Sequence, residues 1–177
     1  CEKSMYDVLV HDLPISEVIA HRENDIAVAS IDLAGAEIAM STKIGRERSL
    51  ENALKEVHSE YDYICIDTPP SLGLLTINAL TASNKVIVPV QCEYLSMRGL
   101  VQLQSTLKMI QENLNPDVHI EGILPTMFDS RTNLAAQVAE EARKLARALN
   151  ATEMVLAREQ HLSALDGLAA AAAHELG

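Results

Sequence analysis

The sequence predicts an α/β domain with a mostly parallel sheet flanked by helices on both faces. Three observations point there. Short apolar runs recur at Ile26–Ile31, Tyr63–Ile66, Val86–Val90 and Ile120–Thr126. Helix-period patterns separate them, and strand–helix alternation argues for right-handed crossovers and parallel strands. The first run is continuously apolar rather than alternating, as expected of a strand covered on both faces. With 177 residues, 48% of them hydrophobic, the chain suffices for one well-buried domain. Aromatic residues make up only 3%, so aliphatic side chains must fill the core.

The elements follow in order. Ser4 to Leu9 and Ile15 to Ala20 read as two short helices separated at Pro14. After the strand Ile26–Ile31, Asp32 is placed to cap a helix carrying Leu33, Ala36 and Met40 on one face. Gly45 interrupts, and Arg46 to Glu60 forms a longer amphipathic helix with Leu50, Ala53, Leu54 and Val57 inward. The run Tyr63–Ile66 precedes Asp67, two prolines and a helix-like pattern from Leu72 to Ala82. Then come the strand Val86–Val90, the helix Ser96 to Asn113, the strand Ile120–Thr126 and the helix Thr132 to Leu149. The tail is less regular. It offers a strand candidate at Thr152–Leu156 and an alanine-rich helix from Leu165 to Leu176, with five alanines in a row at Ala169–Ala173. No internal repeat appears, and no linker divides the chain.

Composition narrows the function classes. The net charge is −11 and the pI about 4.9, which argues against broad electrostatic binding to nucleic acid; any such contact needs a local basic cluster. Cys1, Cys65 and Cys92 are odd in number and lack metal-ligand spacing, as suits a reduced, cytoplasmic protein. No apolar run approaches the length of a bilayer span.

The chemistry centres on Asp67. Ligands of open parallel sheets sit beyond the carboxyl ends of the strands, so an acid ending the run Tyr63–Ile66 is placed to handle a metal or a phosphate. An Asp that merely caps the following turn fits the pattern equally well. Two adjacent prolines, Pro69 and Pro70, stiffen the turn, and Gly73 supplies local freedom. Gln91 and Glu93 follow Pro89 at the end of the next strand, on the same expected ligand edge.

The stretch Tyr61–Ser83 resembles the Walker B and switch II region of the ParA/Soj partition ATPases, a branch of the deviant Walker-A P-loop family. The likeness continues through Lys85–Tyr94 and Ile120–Asn133 and back to Ile31–Ile38, covering roughly residues 4–145 and leaving a divergent, shortened tail at 146–177. It implies a P-loop NTPase-like fold. Asp67 matches the acid that orients a water on Mg²⁺, and Thr68, Pro69, Pro70 and Gly73 match the segment that moves with nucleotide state. Gln91, Thr126, Met127 and Arg158 fall near the implied nucleotide. Arg131 matches an arginine that contacts DNA without reading sequence, and a second such arginine falls on His161. The loop Val-Ile-Pro-Arg-Asn-x-Arg-Leu-Ser of typical members reads Val155-Leu-Ala-Arg158-Glu-Gln-His161-Leu-Ser163 here, with Ala157 for the proline and Glu159 for the asparagine.

By the same resemblance the cofactors are ATP and Mg²⁺. The partners are non-specific DNA, a ParB-type partition protein and a second copy in a homodimer, and the location is the bacterial cytoplasm, on the nucleoid. The basic C-terminal helix of membrane-bound relatives has no counterpart in Ala171-Ala-Ala-His-Glu-Leu-Gly177, so no membrane partner is expected. The phosphate-cradling loop K-G-G-x-G-K-[ST] occurs nowhere in these residues. In the family it lies upstream of the matched region, and the chain opens on Cys1 rather than Met. A single incomplete domain spanning 1–177 and missing the N-terminal Walker A unit is therefore expected. The alternative is an ATP-independent, catalytically dead ParA-like regulator or interaction module.

Overall fold

The computed structural model describes residues 3–91 and 96–127, together with Glu140 and Lys144. They divide into two compact units, one of Cys1–Val86 and Val101–His119, the other of Ile87–Leu100 and Ile120–Gly177.

The first unit opens with helix α1, Met5–His11, whose start is fixed by a reciprocal capping box. Tyr6 N–H donates to Ser4 Oγ at 3.3 Å, and Ser4 N–H donates to Asp7 Oδ2 at 2.9 Å. The second expected helix is a 3₁₀ turn at Ile15–Val18, entered from Pro14. Strands β1, Ile19–Ala20, and β2, Ile26–Ala27, follow and pair antiparallel, with Ile19 opposite Ala27.

The expected strand Ile26–Ile31 is thus only two residues long, and its strand residues are exposed. Val28 sends its N–H to Val18 O and receives Met5 N–H on its own carbonyl, and a 3₁₀ turn begins at Ile31. Asp32 lies inside that turn rather than capping it. Helix α2, Ala36–Ala39, then buries Ala36 and leads to buried Met40, with Leu33 against the same cluster, as the periodicity predicts.

The expected helix Arg46–Glu60 is broken into a 3₁₀ turn at Arg46–Arg48, helix α3 at Ser49–Leu54 and a second 3₁₀ turn at His58–Glu60. The break comes where Val57 N–H reaches back only three residues, to Leu54 O, which tightens the turn and drives Val57 into the core. The inward set is nonetheless as expected. Leu50 and Val57 are buried, and Ala53 and Leu54 pack against the buried clusters.

Among the described residues two apolar clusters meet at α1. Val8, Ile15, Val18 and Val57 form one; Leu9, Ala36, Met40 and Leu50 form the other. Helix α1 serves both through its adjacent residues Val8 and Leu9. Each fully buried aliphatic side chain contributes about 1.5–3 kcal/mol. Helix α4, Leu74–Ala82, lies against α3 and α2. Its last carbonyls are met by Asn115 Nδ2, which donates to Leu80 O at 3.1 Å, Thr81 O at 2.9 Å and Ser83 O at 2.7 Å. Asn115 follows helix α5, Ser96–Asn113, whose residues 101–113 belong to this unit and bury Leu107 and Ile110.

Strands β3, Lys85–Gln91, and β4, His119–Thr126, are hydrogen-bonded neighbours in one sheet and, apart from their first residues, belong to the second unit. Helix α5 joins them as a crossover, so they run parallel. Along β3, Val86, Val88 and Val90 are covered while Ile87 and Pro89 are exposed. No helix among the described residues is long and apolar enough to cross a membrane.

Candidate functional site

The segment leading to Asp67 departs from expectation. Tyr63–Ile66 is neither a strand nor buried: Tyr63 is 94% exposed, Ile64 39%, and Cys65 is an exposed free thiol. A strand exists only where its backbone has a ladder partner, and no described strand lies alongside this run. Its apolar side chains instead border an open, mostly apolar cleft of about 980 Å³, shared with Leu33, Leu54 and Leu75. Asp67, Thr68 and Pro69 line the same cleft.

Upstream, Tyr61 Oη donates to Asp25 Oδ2 at 2.8 Å, and His21 Nδ1 stands 3.0 Å from Asp25 Oδ1. The Tyr61 hydroxyl first, and His21 next, hold the Asp25 carboxyl below the ordinary carboxylate range, while Asp25 pushes the Tyr61 phenol up.

Downstream, the turn Pro69–Gly73 is tied to the start of α4. Buried Thr76 donates its hydroxyl to Ser71 O at 2.6 Å, with Pro69 O at 3.4 Å, and Ile77 N–H donates to Gly73 O at 3.0 Å. Leu75 N–H donates to Glu37 Oε1 of α2 at 3.2 Å. Asn78, 1% exposed, donates from Nδ2 to Arg46 O at 2.8 Å and Leu74 O at 3.0 Å. Its Oδ1 accepts Leu50 N–H at 3.1 Å, so one amide meets an early N–H of α3 and binds that helix to α4.

The predicted residues Asp67, Thr68, Pro69, Pro70 and Gly73 therefore form one exposed-to-half-buried segment ending on a pinned helix. Gln91 is exposed at the end of β3. Thr126 is half-buried at the end of β4, and Met127 is exposed with φ of 52°. These three belong to the second unit. Glu93, Arg131, Arg158 and His161 lie outside the described residues.

Sequence reasoning missed Glu37, Thr76 and Asn78. A signal existed for Asn78, because an amide inside the apolar run Leu74–Ala82 has to find partners when buried. Glu37 left none, since it meets Leu75 from 38 positions away.

The chain matches the family model described as an AAA domain over residues 1–120. It is 53% identical over 149 residues to the sporulation initiation inhibitor protein Soj of Bacillus subtilis, covering 82% of this chain and 59% of that protein. The chain belongs to the ParA/Soj family. A second relative, the chromosome partitioning protein ParA of Myxococcus xanthus, is 48% identical over 143 residues, covering 79% of this chain and 50% of that one. The chain thus spans between half and three-fifths of the length of these curated relatives.

Among solved structures, cobyrinic acid a,c-diamide synthase from Mycobacterium smegmatis with bound ATP analog and magnesium superposes with a TM-score of 0.75 at 40% identity, over 80% of this chain and 59% of that one. A Cyanothece McdA–ATP complex superposes at 0.74 and 15% identity, over 83% and 59%, which speaks for the fold alone. The fold of this ParA/Soj-family chain is P-loop NTPase-like, as its sequence predicts.

The residues present fit a family Mg²⁺ in one respect. Among the described residues no three metal-ligating side chains stand together, and Asp67 has no side-chain hydrogen bond. A single open carboxylate suits Mg²⁺, which keeps several waters and takes one or two carboxylates beside phosphate oxygens.

Proposed function

We propose that this chain supplies the metal-side part of a partition-type ATPase site. Asp67 would hold, through a water, the Mg²⁺ that accompanies ATP. The Thr68–Gly73 segment responds to nucleotide, and α4 passes that response on to α2 and α3. The bound ion would neutralise phosphate charge; the chain's own part is to place one carboxylate at the cleft and to anchor the segment behind it. The observation that carries this reading is the open Asp67 carboxylate directly ahead of a double-proline turn pinned to a helix by Thr76. The likeness to proteins named Soj and ParA supports the partition role.

Gln91, Thr126, Met127 and Arg158 are proposed nucleotide neighbours, and Arg131 and His161 proposed contacts to non-specific DNA. A ParB-type protein and a second copy of the chain are the proposed partners, on the nucleoid in the bacterial cytoplasm. The second reading is an ATP-independent, catalytically dead ParA-like regulator or interaction module.

Mg²⁺-dependent ATP turnover separates the two. The 177-residue chain is expected to be inactive, whereas a version extended upstream with a K-G-G-x-G-K-T unit is expected to turn over ATP and to lose that activity on Asp67→Ala. Turnover by the chain alone, abolished by Asp67→Ala, refutes the need for the added unit. An extended chain indifferent to Asp67→Ala refutes the role of the acid.

A further inference from the structure

We propose that Glu37 is a positioning residue for the Asp67–Gly73 segment, acting through the first turn of α4; this rests on reading that segment as the nucleotide-responsive one. The second amide of a helix has no partner within the helix, and Gly73 at the N-cap has no side chain to offer. The Glu37 carboxylate fills the gap, accepting Leu75 N–H at 3.2 Å at the end of the helix that favours negative charge.

Gly73 is matched to that carboxylate. Its φ of −85° and ψ of −170° are open to any residue, so backbone freedom does not call for glycine there. Space does. A Cβ at residue 73 would stand 2.9 Å from Glu37 Cδ and closer still to Oε1. The absence of a side chain at 73 and the carboxylate from α2 thus form one device.

The link to the segment is Thr76. Its hydroxyl holds Ser71 O at 2.6 Å, so a displaced first turn carries the double-proline turn with it. Glu37 itself hangs from a firmly held base, since Ala36 beside it and Met40 three residues on are fully buried.

Amide exchange and ¹H–¹⁵N resonances of the full 177-residue chain, without nucleotide, test this. Glu37→Ala is expected to speed exchange of the Leu75 amide at least tenfold and to move the Thr68, Ser71 and Leu72 resonances, leaving protection in α1 and α5 unchanged. Glu37→Gln, which keeps an acceptor oxygen at the same reach, is expected to restore exchange to within threefold. Gly73→Ala should speed Leu75 exchange in the natural background and leave it unchanged in the Glu37→Ala background, where the clash is gone. Unchanged Leu75 exchange in Glu37→Ala overturns the proposal, as does a Gly73→Ala effect equal in both backgrounds or a general loss of protection in every Glu37 variant. Because no nucleotide is involved, this outcome is independent of the turnover test of Asp67.

Discussion

Replacing Asn78 by alanine tests the tie between α3 and α4. The side chain is 1% exposed and makes three hydrogen bonds, to Arg46 O, to Leu74 O and from Leu50 N–H. Leu74 O sits four residues back on the same helix and keeps a main-chain donor after the change. Arg46 O likewise keeps the Ser49 main-chain N–H, so only Leu50 N–H loses the partner that Asn78 provides. One orphaned buried group costs about 1–3 kcal/mol, which is what the variant should lose. A domain of this kind is stable by about 5–15 kcal/mol, so the loss removes a large share. In urea unfolding followed by circular dichroism, with a slope of about 2 kcal/mol per M, the midpoint should fall by about 0.5–1.5 M. Asn78→Asp discriminates further. It keeps the acceptor for Leu50 N–H but sets a carboxylate against two carbonyls, so it should be no better than alanine despite its shape. A midpoint shift below about 0.3 M for Asn78→Ala, or an Asp variant as stable as the parent, would refute the reasoning.

Two further outcomes are expected. Met40→Ala empties a fully buried site in the Leu9–Ala36–Leu50 cluster and should cost about 2–5 kcal/mol in the same assay, whereas Ile38→Ala, at an exposed position on the same helix, should cost little. The Asp25–Tyr61 pair should leave a mark on the pH profile. Asp25 is depressed in the folded state, so its contribution is present above its unfolded value of about 3.9 and fades as pH falls through the lower folded value. Tyr61 is raised, so its contribution is present below about 10 and fades as pH climbs through the higher folded value. Tyr61→Phe should shrink both the acid and the alkaline limb in melting temperature measured across pH; an unchanged profile in the variant would count against the hydrogen bond.

What the sequence made legible, and what it hid, divide along a physical line. Periodicity reports which side chains seek cover, and it placed Leu33, Ala36 and Met40, and Leu50, Ala53, Leu54 and Val57, on inward faces even though the helices carrying them are shorter than expected. Tyr63–Ile66 has the same appetite for cover and does not become a strand, because a strand also needs a neighbour's N–H and C=O groups, and no described strand provides them. Apolar content cannot reveal that shortage. The same division explains the site. The acid, the prolines and Gly73 are contiguous, so their order could be read directly. The groups that hold them come from elsewhere: Glu37 from α2, and Asn78 reaching across to α3. Gly73 shows why such partners escape a linear reading. A glycine ahead of a helix suggests flexibility, yet its dihedral angles are ordinary, and what a side chain there would meet is a carboxylate placed by a distant turn of chain. The stiffness of the segment behind Asp67 is therefore set by tertiary contacts onto α4 as much as by the prolines within it.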